Sequence, residues 1–124
     1  RIDSKEAWTY GRFSFKARMS HTQVKGTWPA LWMLPQGDDN WPDSGEIDIM
    51  ENVGYEGDVI HGTPHTGKYN HLKGSQRGGK IKCKVTDWHV YAVEWTPTRV
   101  LWALDGKPYH LFDKESDDNA VWPF

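Results

Sequence analysis

Three carboxyl side chains crowd one short apolar stretch, GEIDIMENVG at residues 45–54: Glu46, Asp48 and Glu51. In an extended strand alternate residues share a face, so Glu46 and Asp48 point one way while Ile47 and Ile49 point the other. Strict alternation would then send Glu51 to the isoleucine side, where a lone buried carboxylate is costly. One extra residue resolves the conflict. A β-bulge around Ile49 and Met50 resets the register and returns Glu51 to the face of Glu46 and Asp48. The stretch therefore predicts a bulged strand with three acids on its wet face and Ile47 in a core.

Two carboxyls about 5–5.5 Å apart are what retaining glycoside hydrolysis uses: one attacks the anomeric carbon, the other protonates the leaving oxygen and then activates water. Strand residues rise about 3.3 Å each, so Glu46 and Glu51 must lean toward each other across Asp48. Close packing of the acids also raises the proton affinity of at least one. Taken alone, these residues leave two other readings open, a solvated acidic face and a calcium site.

The elements that must position the acids read as strands. Residues 10–19 alternate, with Phe13, Phe15, Ala17 and Met19 against Arg12, Ser14, Lys16 and Arg18. Residues 27–34 are a second apolar run, in which Pro29 argues for an edge position or a bulge. A polar loop at 35–44 leads into the acidic strand, and residues 58–66 follow as another. The Gly/Lys/His-rich segment 67–82 reads as a mobile loop. Residues 88–95 alternate again, residues 99–104 form the next strand, and Asp105-Gly106 is a hairpin turn into 108–112. No helix or internal repeat emerges, and the fold class is all-β and antiparallel, a sandwich or barrel.

Composition narrows the partners. Eight tryptophans in 124 residues is several times the usual share. Flat apolar rings suit stacking on sugars, and about half of them are assigned to packing the core. The net charge of −2, with acids and bases interleaved, is unlike the footprint of a nucleic-acid binder. The longest apolar run, TWPALWMLP, is too short to span a bilayer. The chain opens mid-pattern at Arg1 with no signal-like segment, so any targeting sequence is removed or not included. Cys83 is the only cysteine, which rules out an intrachain disulfide.

GEIDIME resembles the signature of glycoside hydrolase family 16 in its bulged E-x-D-x-x-E form. The surrounding blocks YGRFSFKAR, GTWPALWML, HGTPHT, VYAVEWTPTRVLWALDGKPY and the closing WPF resemble its laminarinase-like (endo-β-1,3-glucanase) branch, in family order along nearly the whole chain. The resemblance implies an antiparallel β-sandwich of the jelly-roll, concanavalin A-like kind. It implies that Glu46 is the nucleophile, Glu51 the general acid/base, and Asp48 the residue that sets their protonation. Trp28 and Trp32 match the tryptophans of the family's WPAxW block, one or both stacking on sugars. Trp41, in the loop before the acidic strand, is a candidate wall of the same subsites. His65 matches the histidine of the G-T-x-H-T block and shares a face with His61 and Thr63. The spacing of His61, His65 and His71 lacks the tight pattern of a zinc site, so no metal is assigned to them.

Two departures stand out. Pro64 occupies a position usually aliphatic in the family, and it is expected to loosen or bulge its strand beside His65. Domains of the family are about twice as long, so residues 1–124 are expected to be the central part of one catalytic domain, with strands left unpaired. No cofactor is expected for the chemistry. The structural calcium ion of many relatives would draw on segments outside this chain. The expected substrate is a β-1,3-glucan, met by a secreted or cell-surface protein acting as a monomer, without nucleic-acid or membrane partners. The alternatives are the same chemistry on mixed-linkage glucan, agar or carrageenan, transglycosylation, or a non-catalytic β-glucan-binding module. Basic residues at 67–82 keep a sulfated polymer among the candidates.

Overall fold

The computed structural model describes residues 1–20, 23–37 and 40–124. Its strands are β1 (Gly11–Ala17), β2 (Ala30–Met33), β3 (Glu46–Glu51), β4 (Val59–His65), β5 (Gly79–Lys82), β6 (His89–Thr96), β7 (Arg99–Leu104) and β8 (Lys107–Asp113). They form two four-stranded sheets, in the orders β1-β6-β7-β8 and β2-β3-β4-β5. Every neighbouring pair is antiparallel. The all-β antiparallel fold expected from the alternation is observed, as the sandwich that the family resemblance implied.

Most of the alternating apolar positions face the core, although Phe15 of β1 is 42% exposed. Ile47, Ile49, Met50 and Ile60 from one sheet meet Tyr91, Val93, Val100, Trp102 and Phe112 from the other in one core. Phe13 and Ala17 of β1 pack against its margin. The β7–β8 hairpin turns on Asp105 and Gly106, both with positive φ (50° and 77°), the conformation that this dipeptide favours between twisted strands. Asp105 also accepts the backbone N–H of Val90 at 2.8 Å, tying the turn to the start of β6.

The tryptophans divide between the two duties expected of them. Trp102 and Trp122 are buried, whereas Trp8, Trp28, Trp32 and Trp88 are exposed. The closing WPF is not a strand. Trp122 and Phe124 fold back into the core, Trp122 stacking on Phe112 with centroids 5.6 Å apart. A Cβ at Gly45 would lie 2.8 Å from both Phe124 and Pro123, and Gly45 has φ +87°, so glycine alone fits there without strain. The closing residues thereby pack against Gly45, which immediately precedes β3.

Two expectations need correction. Residues 67–82 are structured: they contain a single 3-10 turn at His71–Lys73 and strand β5. Asn70 is fully buried within this segment, and Arg77 lies 3.8 Å over the ring of Tyr69, which donates to Glu115 at 2.6 Å. Pro64, too, neither breaks nor bulges β4; it pairs with Ile47 in an unbroken strand that runs on to His65. The β4–β5 ladder ends at Gly62↔Gly79, so at Pro64 only the β3 flank of β4 is paired.

Candidate active site

The site is built on β3, an inner strand of its sheet. Along the β3–β4 ladder Glu46 faces His65, Asp48 faces Thr63 and Glu51 faces His61, with a register shift between Asp48 and Glu51. Two residues of β3, Ile49 and Met50, thus span the space of one on β4. Both are buried in the core. The bulge inferred from the cost of burying Glu51 is present, and all three acids lie on the outer face of the sheet.

Each acid has a specific partner. Trp41 donates its indole N–H to Glu46 Oε2 at 2.6 Å, and Trp28 donates to Glu51 Oε1 at 2.8 Å. Asp48, only 3% exposed, is 3.0 Å through Oδ2 from His65 Nε2. Its backbone carbonyl accepts the N–H of Trp102 at 2.7 Å from across the sandwich. Trp32 pairs with Asp48 along the β2–β3 ladder, its exposed ring lying 5.3 Å beneath the Arg1 guanidinium. Both tryptophans of the WPAxW block therefore stand on the face of the acids, Trp28 as a hydrogen-bond donor and Trp32 as an open ring. Trp41 sits on the same side.

The electrostatics follow from crowding and burial. Burial, reinforced by the charge of Asp48, pushes the Glu46 carboxyl up to about 7, against the opposing influence of the Trp41 N–H and His65. Asp48 is raised as well, first by its own burial and then by the charge of Glu51, while its bond to His65 acts the other way. Burial favours neutral His65, but the Asp48 hydrogen bond and the charges of Asp48, Glu46 and Glu51 outweigh it and raise its pKa. Glu46 and Asp48 compete for the same proton, with His65 as the counter-charge beneath them. Among the described residues no group of three or more His, Cys, Asp or Glu side chains is placed to hold a metal ion.

Around this centre His61 binds Glu56 through Nε2 at 2.7 Å, and Lys80 lies 3.5 Å from the same carboxylate. Three aromatic rings cluster beside Glu46: Trp41 to His65 at 5.8 Å, Trp41 to His71 at 5.3 Å, and His65 edge-on to His71 at 5.5 Å. Arg1 and His71 were not legible as site residues. Arg1 sits in no periodic element, and His71 lies in a segment whose polarity reads as loop. Glu94 lies opposite Arg12 in the β1–β6 register.

Comparison with known proteins accords with this arrangement. Residues 1–124 match the sequence model of Glycosyl hydrolases family 16, and the chain belongs to that family. It is 52% identical to a beta-glucanase of Rhodothermus marinus, over 95% of this chain and 43% of that protein. It is 36% identical to a glucan endo-1,3-beta-glucosidase of Cryptopygus antarcticus, over 98% of this chain and 45% of that one. The laminarinase structure from Rhodothermus marinus superposes with a TM-score of 0.88 at 50% identity, covering 97% of this chain and 51% of that chain. The chain spans about half the length of these relatives.

Proposed function

We propose that these residues carry the catalytic strand of a retaining endo-glycoside hydrolase that cleaves β-1,3-glucan. The observation that carries this reading is the pair Glu46 and Glu51 on one face of a bulged strand, each oriented by its own indole N–H. Names of the relatives supply the substrate class, beta-glucanase and endo-1,3-beta-glucosidase. The region is the central part of one catalytic domain, and the protein is expected where polymeric glucan is met, outside the cell or in a periplasm.

Ionised Glu46 attacks the anomeric carbon through the oxygen that Trp41 does not hold, and Glu51 gives its proton to the departing glycosidic oxygen. Asp48, protonated while Glu46 is charged, donates toward Glu46 and spares the site two adjacent negative charges. When Glu46 becomes a glycosyl ester its charge is gone, and the Asp48 proton can pass to His65 Nε2, 3.0 Å away, and return when the ester is cleaved. Glu51 then takes a proton from water as it attacks the ester, restoring the first state. Three of the five basic side chains at 67–82 already have partners within the chain. Lys73 donates to the Gly67 carbonyl, Arg77 to Glu115, and Lys80 lies near Glu56.

Proton NMR of laminarin during digestion tests the reading, with Glu46→Gln as control. Early release of the β-anomer, absent in the variant, is the expected result. Early α-anomer would exclude retention, and no new reducing ends would exclude the substrate class.

A further inference from the structure

We propose that His71 binds a sugar hydroxyl beside Glu46 on the acid-bearing face of the sheet, an assignment that rests on the carbohydrate-cleaving reading above. Its imidazole is the outermost of three rings: His65 is buried on Asp48, Trp41 is half-buried on Glu46, and His71 is exposed. The centroid separations of 5.3 Å to Trp41 and 5.5 Å to His65 put it within one sugar's width of the nucleophile's own hydrogen-bond donor. Its ring makes no hydrogen bond to another described residue. A neutral imidazole offers one donor and one acceptor, a match for a sugar hydroxyl, which is both.

The backbone under His71 is held firmly. Asn70, fully buried, donates to the Thr66 carbonyl at 2.9 Å and accepts the Lys73 N–H at 3.2 Å. The Tyr69 N–H reaches Thr66 Oγ1 at 3.0 Å, and the Tyr69 ring is buried beneath Arg77. A chain anchored on both preceding residues yet presenting the next one, exposed, against Trp41 and His65 is arranged to position that side chain.

A purely structural role, backing the Trp41 ring, makes a different prediction, and two variants separate them. His71→Phe keeps the ring contact and lacks the nitrogens; His71→Gln keeps a donor and an acceptor and lacks the ring. The probe is laminaritetraose, a linear β-1,3-linked glucose tetrasaccharide, titrated by tryptophan fluorescence in a Glu51→Gln background that binds without turnover. His71→Ala is expected to raise Kd about tenfold, the loss of one sugar hydrogen bond. His71→Gln recovers most of that loss, and His71→Phe stays with alanine. Phenylalanine binding as tightly as histidine overturns the assignment, as does an alanine variant with unchanged Kd. Should His71→Ala fold poorly in a thermal melt, the Gln and Phe pair carries the test. If the Glu51→Gln parent fails to bind and the unsubstituted protein fails to cleave, the β-1,3-glucan reading falls and takes this assignment with it. A parent that binds, with His71→Phe indistinguishable from it, removes only the role of His71.

Discussion

Glu46 illustrates how a single side chain trades stability for chemistry. Its pKa rises from an ordinary 4.5 to about 7 because folding half-buries it beside Asp48. Folded protein therefore holds a proton that unfolded chain releases, and stability falls as pH rises from about 4.5 through about 7. Glu46→Gln removes that penalty. Thermal melts should show the variant more stable than the parent at pH 8 and nearly equal to it at pH 4; a variant no more stable at pH 8 would contradict the assignment. Trp41 works in the opposite direction, since its N–H stabilises the charged form of Glu46. Replacing it in Trp41→Phe should move the acid limb of kcat/KM to higher pH by roughly one unit, the size expected for one hydrogen bond to a charged group. At this scale the sequence was legible where chemistry is local. Three acids in one apolar strand announce a conflict that only a bulge and a wet face resolve. Which indole serves which glutamate was not legible, because Trp28 reaches Glu51 from 23 residues away and periodicity says nothing of ring direction.

Strands carry the next layer of the argument. Deleting Met50 would remove the extra residue of β3 and leave Glu51 two positions beyond Asp48, still on the face of the acids by plain alternation. What the strand loses is a core side chain that is only 1% exposed. The deletion should therefore lower stability by about 2–5 kcal/mol in urea denaturation, the range for losing a buried methionine side chain; an equally stable deletion would show that Met50 does not anchor the strand. Strand β4 has its own constraint at Gly62, between His61 and Thr63. A Cβ there would lie 2.3 Å from Trp102 Cδ1 and 2.5 Å from the Tyr109 hydroxyl. Gly62→Ala should cost about 1–3 kcal/mol by overpacking, read as a lowered urea midpoint with unchanged slope. The strands themselves were readable from alternation and from the Asp105-Gly106 turn. Segment 67–82 was not, because what fixes it lies far along the chain: Tyr69 and Arg77 both bind Glu115, 46 and 38 residues away. Glycine and lysine content describes a segment in isolation, and here distant partners overrule it.

At the scale of the whole molecule one side chain ties the opposite sheet to the backbone of the site by a hydrogen bond. Trp102, on β7 of one sheet, is fully buried and donates its indole N–H to the carbonyl of Asp48 on β3 of the other. Its ring also lies 4.9 Å from that of His110, so it fills the space between the sheets as well as bridging them. Core packing and placement of the acids are thus one structural fact, and damage to the first should register in the second. Trp102→Phe keeps an aromatic ring and removes the donor to the Asp48 carbonyl, at a cost of about 1–3 kcal/mol. Asp48 stands between the two glutamates, so any shift of its backbone changes their approach to the anomeric carbon, to which reaction rates are steeply sensitive. The expected signature is a fall in kcat on laminarin that exceeds the change in KM, together with a lowered melting temperature. Loss of stability with kcat intact would mean that the site is fixed by β3 and its sheet alone. A fall in both would place the opposite sheet among the determinants of catalysis, although none of its side chains touches the acids' carboxyl groups among the contacts described.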